Sequence, residues 1–250
     1  MEEDPFLNCQ IDSKNGEITV HLFGEIQMEV IKTMIKERFL IDVCFGEPMI
    51  LYKERPKHKG TAAIAMGDRL NPFNASIELS IEPAPVGSGL IYESQVSYGY
   101  LSKSFQTAVF DGIKSALIEG VSGREITDVK VCFVYAFYDS VTSTPSDFRD
   151  LAPLVLMKAV LKSETELLEP MMSYELIIPQ GGSGKAIADL KQMRAVISDS
   201  YIKENEMIIH GKIPVETSRS YSVSLASYTS GRGIFNSKFD GYQLYNDKAI

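Results

Sequence analysis

Residues 170 to 243 constrain the fold most tightly, because their hydrophobic repeat alternates between the strand period of two and the helical period of about 3.6 in a definite order. Strand patterns cover Met172 to Ile178, Val196 to Ile202, Met207 to Val215 and Gly233 to Phe239, while helical patterns cover Gly184 to Arg194 and Ser218 to Tyr228. Strand, helix, strand, strand, helix, strand is the split βαβ, ferredoxin-like order.

A second unit precedes it, from 47 to 169. Its strand candidates are Met49 to Glu54, Thr61 to Met66, Ala75 to Glu82, Leu90 to Ser97 and Ile126 to Tyr135, with an amphipathic helix from Phe105 to Glu119 that Gly120 stops. After the last strand comes the polar stretch Phe137, Tyr138, Asp139, Ser140, Val141, Thr142, and then a helix start. Thr144 suits the N-cap, Pro145 the first helical position, and Asp147 places a carboxylate at the helix N-terminus. Phe148, Leu151, Ala152, Val155, Leu156, Ala159 and Val160 continue at helical spacing, and the interior Pro153 predicts a kink near Leu151. A polar loop between a strand and a capped helix is a device for contact.

Residues 1 to 46 offer a hairpin, Gln10 to Leu22 turning at Asn15-Gly16, and a helix from Glu25 to Arg38. Strand, strand, helix lacks a partner layer, so a partial domain is expected at this end, and residues 244 to 250 are expected to be a tail. The predicted class is α+β, multidomain.

With a formal net charge of −8, the chain does not resemble a basic nucleic-acid-coating protein, and no DNA partner is expected. Lys53, Arg55, Lys57 and Lys59 surround the single Glu54, a local patch able to neutralise phosphates. Asn71-Pro72-Phe73-Asn74 places an aromatic ring in a turn, where half-burial of Phe73 is the favoured reading and base stacking the alternative. Three cysteines at long, irregular spacings suggest neither disulfides nor zinc. The acidic start and the lack of a long apolar run predict a cytoplasmic protein with no membrane partner. Gly181-Gly182-Ser183-Gly184-Lys185 fails the spacing of a phosphate loop, since Pro179 stands where its first glycine belongs and Ala186 follows the lysine. It is expected to be a turn opening a helix. His21, His58 and His210 have no ligand companions, and no nucleophile and base pairing emerges, so neither a metal nor catalysis is predicted.

These segments together resemble the C-terminal part of a translational GTPase of the elongation factor G type. Gly24-Glu25-Ile26-Gln27-Met28-Glu29 is similar to the family's third domain, Ile81-Glu82-Pro83-Ala84-Pro85-Val86-Gly87-Ser88-Gly89 and Asp128-Val129-Lys130-Val131 to its fourth, and Leu168-Glu169-Pro170 with Gly231-Arg232-Gly233 to its fifth. Ser143 to Pro153 resembles the subgroup of ribosomal protection proteins that confer tetracycline resistance. Where that subgroup often carries Tyr-Ser-Pro, this chain has Tyr138-Asp139-Ser140-Val141.

The resemblance implies an incomplete ferredoxin-like domain III (1–46), a domain IV (47–169) with an uncommon left-handed βαβ crossover between Leu90 and Tyr135, like the second domain of a small-subunit ribosomal protein, and a ferredoxin-like domain V (170–243). It implies ribosome binding and tetracycline release, with Phe137 to Thr142 as the tip, Asn71, Pro72 and Phe73 beside it, and Lys53, Arg55, Lys57, Lys59 and Arg232 meeting rRNA phosphates. It also implies GTP and Mg bound by the intact protein but no cofactor or enzymatic activity in this part. Apolar surface on the Glu25 to Arg38 helix of the partial domain favours self-association, and any dimer is expected to be a product of truncation. The alternatives are a translocation factor, or a stand-alone ribosome-binding module without GTPase coupling.

Overall fold

The computed structural model describes residues 9–11, 18–20, 22 and 25–246. They form two compact units, one of residues 51–171 with 241–246 and one of 172–240 with the described part of 1–50.

In the first unit, strands β4 (Gly60–Ile64), β5 (Ala75–Pro83), β6 (Leu90–Ser94) and β7 (Val129–Tyr138) form a sheet in the order β4-β5-β7-β6. β5 lies antiparallel to β4 and β7, with Ala75 opposite Tyr138 and Pro83 opposite Val129, whereas β6 runs parallel to β7 from Leu90 opposite Val129. Parallel neighbours require a crossover, and α2 (Lys103–Glu119) supplies it. α2 and α3 (Pro145–Ser163) bury the apolar stripes seen in the sequence against Ile77, Leu79, Ile81, Val131 and Phe133.

Two glycines set the packing distance of α3. A β-carbon at Gly112 of α2 would lie 2.3 Å from the Arg149 carbonyl oxygen, and one at Gly60 of β4 would lie 2.3 Å from that of Ala159. Pro153 has no N–H to offer the carbonyl four residues earlier, which is Arg149. The backbone of Gly112 occupies the space beside that carbonyl, and α3 runs as one element through the proline.

β7 begins later than its hydrophobic pattern suggests, because Asp128 turns the chain with a positive φ of 51°. Its carboxylate accepts the Gly89 amide at 2.9 Å and its carbonyl accepts the Ala84 amide at 2.8 Å, which clasps the Pro83 to Gly89 loop. The first strand of this unit, β3 (Lys53–Pro56), is also displaced from the expected Met49 to Glu54. It forms where it finds a partner, in the first residues of β8 (Thr165–Pro179), with Lys53 opposite Leu168.

The second unit has the predicted ferredoxin-like arrangement. β8, β9 (Val196–Lys203), β10 (Glu206–Pro214) and β11 (Ile234–Leu244) lie in the order β11-β8-β10-β9, and Leu176, Ile178, Ile209 and Ile213 meet Leu190 of α4 (Ser183–Gln192) and Leu225 of α6 (Tyr221–Thr229). The expected helix from Ser218 to Tyr228 is divided, with the short α5 (Val215–Ser218) ahead of α6. Thr217 and Ser218 hydroxyls bond the Met193 carbonyl at 2.6 Å and the Pro214 carbonyl at 2.9 Å, competing with helix continuation. The Gly181 region is the turn the sequence predicts, and the Lys185 ammonium lies 4.5 Å from the centre of the Tyr228 ring. β1 (Cys9–Ile11) and β2 (Ile18–Val20) pair as the expected hairpin, whose turn at Asn15-Gly16 lies outside the described residues, and α1 spans Glu25–Phe39.

Candidate functional site

Strand direction in the first unit gathers three loops at one end of its sheet. The C-terminal end of β7 opens into 139–144. Because β5 is antiparallel to β7, the β4–β5 loop 65–74 arrives at the same end, and because β6 is parallel to β7, so does the β6–α2 loop 95–102. The sequence singles out residues in the first two loops but not in the third.

The loop after β7 is held by its own side chains. Asp139 Oδ1 accepts the amides of Val141 at 2.8 Å and Thr142 at 2.9 Å and the Thr142 hydroxyl at 3.2 Å. The Asp139 amide donates to Ser143 Oγ at 2.8 Å, and the Ser143 amide donates back to the Asp139 carbonyl at 3.0 Å. The Val141 and Thr142 amides hold the Asp139 carboxyl below the usual carboxylate range. Ser140, Val141 and Thr142 are exposed, Val141 at 89%.

At the start of α3 the predicted cap is a full capping box: Thr144 Oγ1 accepts from the Asp147 amide, and the Asp147 carboxylate accepts the Thr144 amide at 2.8 Å. Asp147 also reaches the second loop, taking the Asn74 amide at 3.1 Å, while the Ser143 hydroxyl donates to the Asn74 carbonyl. Partial burial raises the Asp147 carboxyl, but the hydrogen bonds from Thr144 and from the Asn74 and Asp147 amides outweigh it and hold the carboxyl below its ordinary value.

Asn71 staples its own loop, its amide donating to the carbonyls of Ala65 at 2.8 Å and Ala75 at 2.9 Å and its Oδ1 accepting the Phe73 amide at 3.0 Å. Phe73 is half-buried against the core, and Pro72 is exposed. Leu70, beside them, is 89% exposed.

The third loop is anchored by buried Gln106, whose side-chain amide donates to the carbonyls of Val96 at 2.9 Å and Leu101 at 3.1 Å. It presents Tyr98, 68% exposed, and Tyr100. The Tyr100 ring closes a chain of aromatic contacts that starts in the core: Phe148 to Phe105 at 5.2 Å, Phe105 to Tyr138 at 6.0 Å, Tyr138 to Tyr100 at 5.8 Å. Tyr138 is therefore half support and half surface, while Phe137 on β7 is exposed. The available signal for the third loop was Ser97-Tyr98-Gly99-Tyr100, two aromatics around a glycine, which a continuous strand reading through Ser97 conceals.

The basic residues lie elsewhere. Lys53 pairs with Glu125 at 2.8 Å and covers the Tyr242 ring at 4.8 Å, Arg55 pairs with Glu166 at 2.6 Å, and Lys57 pairs with Glu164 at 3.8 Å. Lys59 is exposed. This cluster adjoins the C-terminal end of α3, whose 19 residues span about 28 Å from the tip. Arg232 belongs to the other unit and is exposed.

No group of three or more His, Cys, Asp or Glu side chains suited to a metal exists among the described residues, and no described helix is long and apolar enough to cross a membrane. The tip offers hydroxyls, exposed rings and apolar apices. That is the chemistry of contact.

Residues 48–164, which contain all three loops, match the family description "Elongation factor G, domain IV", and residues 166–250 match "Elongation factor G C-terminus". The chain belongs to the elongation factor G family. Within that family, it is 43% identical to the tetracycline resistance protein TetS of Listeria monocytogenes over 99% of its length, 45% to TetP of Clostridium perfringens over 97%, and 41% to TetM of Enterococcus faecalis over 100%. It spans 37% to 39% of the length of these three relatives. A crystal structure from Thermus thermophilus shares the fold, with a TM-score of 0.75, 24% identity and coverage of 98% of this chain and 37% of that one. The domain IV match thus coincides with the sheet, helices and loops that build the tip.

Proposed function

We propose that this chain is the ribosome-contacting C-terminal part of a cytoplasmic ribosomal protection protein, whose domain IV tip enters the tetracycline site and releases the drug. The observation that carries this reading is the convergence of three braced loops at one end of domain IV, in a chain more than two-fifths identical to proteins named for tetracycline resistance. Asp139, Asn71 and Gln106 each hold one of the loops, leaving Val141, Leu70, Tyr98 and Tyr100 to meet unpaired bases and apolar drug surface. None of the cations singled out earlier lies in the three loops, and the exposed ones among them, Lys57, Lys59 and Arg232, are assigned to phosphates away from the tip. GTP and Mg are assigned to the part of the intact protein outside this chain, whose hydrolysis would reset the bound state. The full-length gene product, expressed in a tetracycline-susceptible bacterium, raises drug tolerance several-fold on this reading. Unchanged tolerance in cells that accumulate soluble protein sinks it, and rescue of a strain depleted of its own elongation factor G identifies a translocation factor instead.

A further inference from the structure

We infer that Asp139 is the positioning residue of the tip, a side chain that meets no target itself but dictates where the Val141 apex stands. This deepens the reading of the tip as the drug-releasing end and rests on it. The stretch from Ser140 to Thr142 is exposed, so no packing fixes it. Its conformation comes from one acceptor, Asp139 Oδ1, which collects two consecutive amides and a hydroxyl from the residues just beyond. Paired bonds between Asp139 and Ser143 close the loop beneath, and Ser143 ties that closure to the Asn74 carbonyl of the neighbouring loop. Remove the carboxylate oxygen and the base of the loop survives, but nothing directs the apex. The role belongs to an oxygen acceptor rather than to a charge, because the donors are neutral amides and a hydroxyl and no cation lies among these contacts.

The test compares Asp139→Asn, which keeps the oxygen, with Asp139→Ala, which removes it. In the 250-residue chain, amide hydrogen exchange at Val141 and Thr142 should accelerate about tenfold in the alanine variant and stay within about threefold of the parent in the asparagine variant, because each lost acceptor frees an exposed amide. The melting temperature should hold in both, separating positioning from folding. In the full-length protein the alanine variant should lose most of the drug tolerance at equal protein level, and the asparagine variant should retain it. Unchanged exchange in the alanine variant overturns the inference, as does an asparagine variant that loses as much tolerance as alanine. If the unmodified full-length protein gives no tolerance, the drug-release reading fails, and the exchange experiment still decides whether Asp139 positions the apex.

Discussion

Replacing Gly112 by alanine tests how domain IV sets the distance between its two helices. The added β-carbon would stand 2.3 Å from the Arg149 carbonyl oxygen, 3.2 Å from the Arg149 carbonyl carbon and 3.2 Å from Ala152 Cβ. Two effects compete. Inside a helix alanine is favoured over glycine by about 1 kcal/mol. Against that, the neighbour that must yield is helix backbone, and relieving the overlap needs α2 and α3 to part by about 1 Å, enough to forfeit a quarter to a half of the dispersion between facing atoms. Those atoms belong to fully buried side chains, among them Val109, Ile113, Ala152 and Leu156. Overpacking of this kind costs about 3 kcal/mol gross, so the net loss is about 2 kcal/mol. Thermal melting of the chain followed by circular dichroism should show a fall of about 8 °C. Gly99→Ala is the control, since nothing lies within 4 Å of its β-carbon position, and it should change stability by no more than about 0.5 kcal/mol. A Gly112→Ala protein that melts at or above the parent temperature would show that the contact with the Arg149 carbonyl does not set the spacing.

Two further outcomes follow from the tip. Asp147→Asn weakens the capping box and should cost about 1 kcal/mol at neutral pH. The folded-state pKa of Asp147 is depressed, so its contribution is complete above the unfolded value of about 3.9 and disappears as pH falls through the lower folded value. Urea melts should therefore show a constant gap between parent and variant from neutral pH down to about 5, closing below about 4, and a gap that persists in acid would contradict the assignment. For the third loop, Tyr98→Ala combined with Tyr100→Ala should reduce drug tolerance of the full-length protein several-fold at a stability cost of about 1 kcal/mol, since the Tyr98 ring is exposed and Tyr100 gives up its edge contact with Tyr138. Full tolerance in the double variant would remove that loop from the contact surface.

What the sequence made legible was local. Thr144, Pro145 and Asp147 declare the start of α3 because cap, proline and carboxylate act within one turn. The ferredoxin-like order emerges from periodicity alone. Features that depend on distant partners stayed hidden. β3 moves to Lys53–Pro56 because its partner strand is more than a hundred residues away, where Arg55 meets Glu166. β7 starts at Val129 because Asp128 answers amides at Gly89 and Ala84, not because of its own hydrophobic pattern. The third loop of the tip is set by parallel pairing of β6 with β7 across a helix, which no short window of residues reveals. For the same reason the cationic run at Lys53 to Lys59 looks free in the sequence, while in the fold three of its four members face glutamates from residues 125 to 166.

The close seating of α3 has a mechanical consequence. Its first turn is bolted to the Asn74 loop, and its last turn receives the Lys57 and His58 amides through the carbonyls of Glu164 and Ser163. Between those ends Gly112 and Gly60 bring neighbouring backbone against it without intervening side chains. A strut clamped at both ends and along its shaft has little room to bend. A push on the apex is therefore borne as compression of the whole helix, passed on through both of its clamped ends.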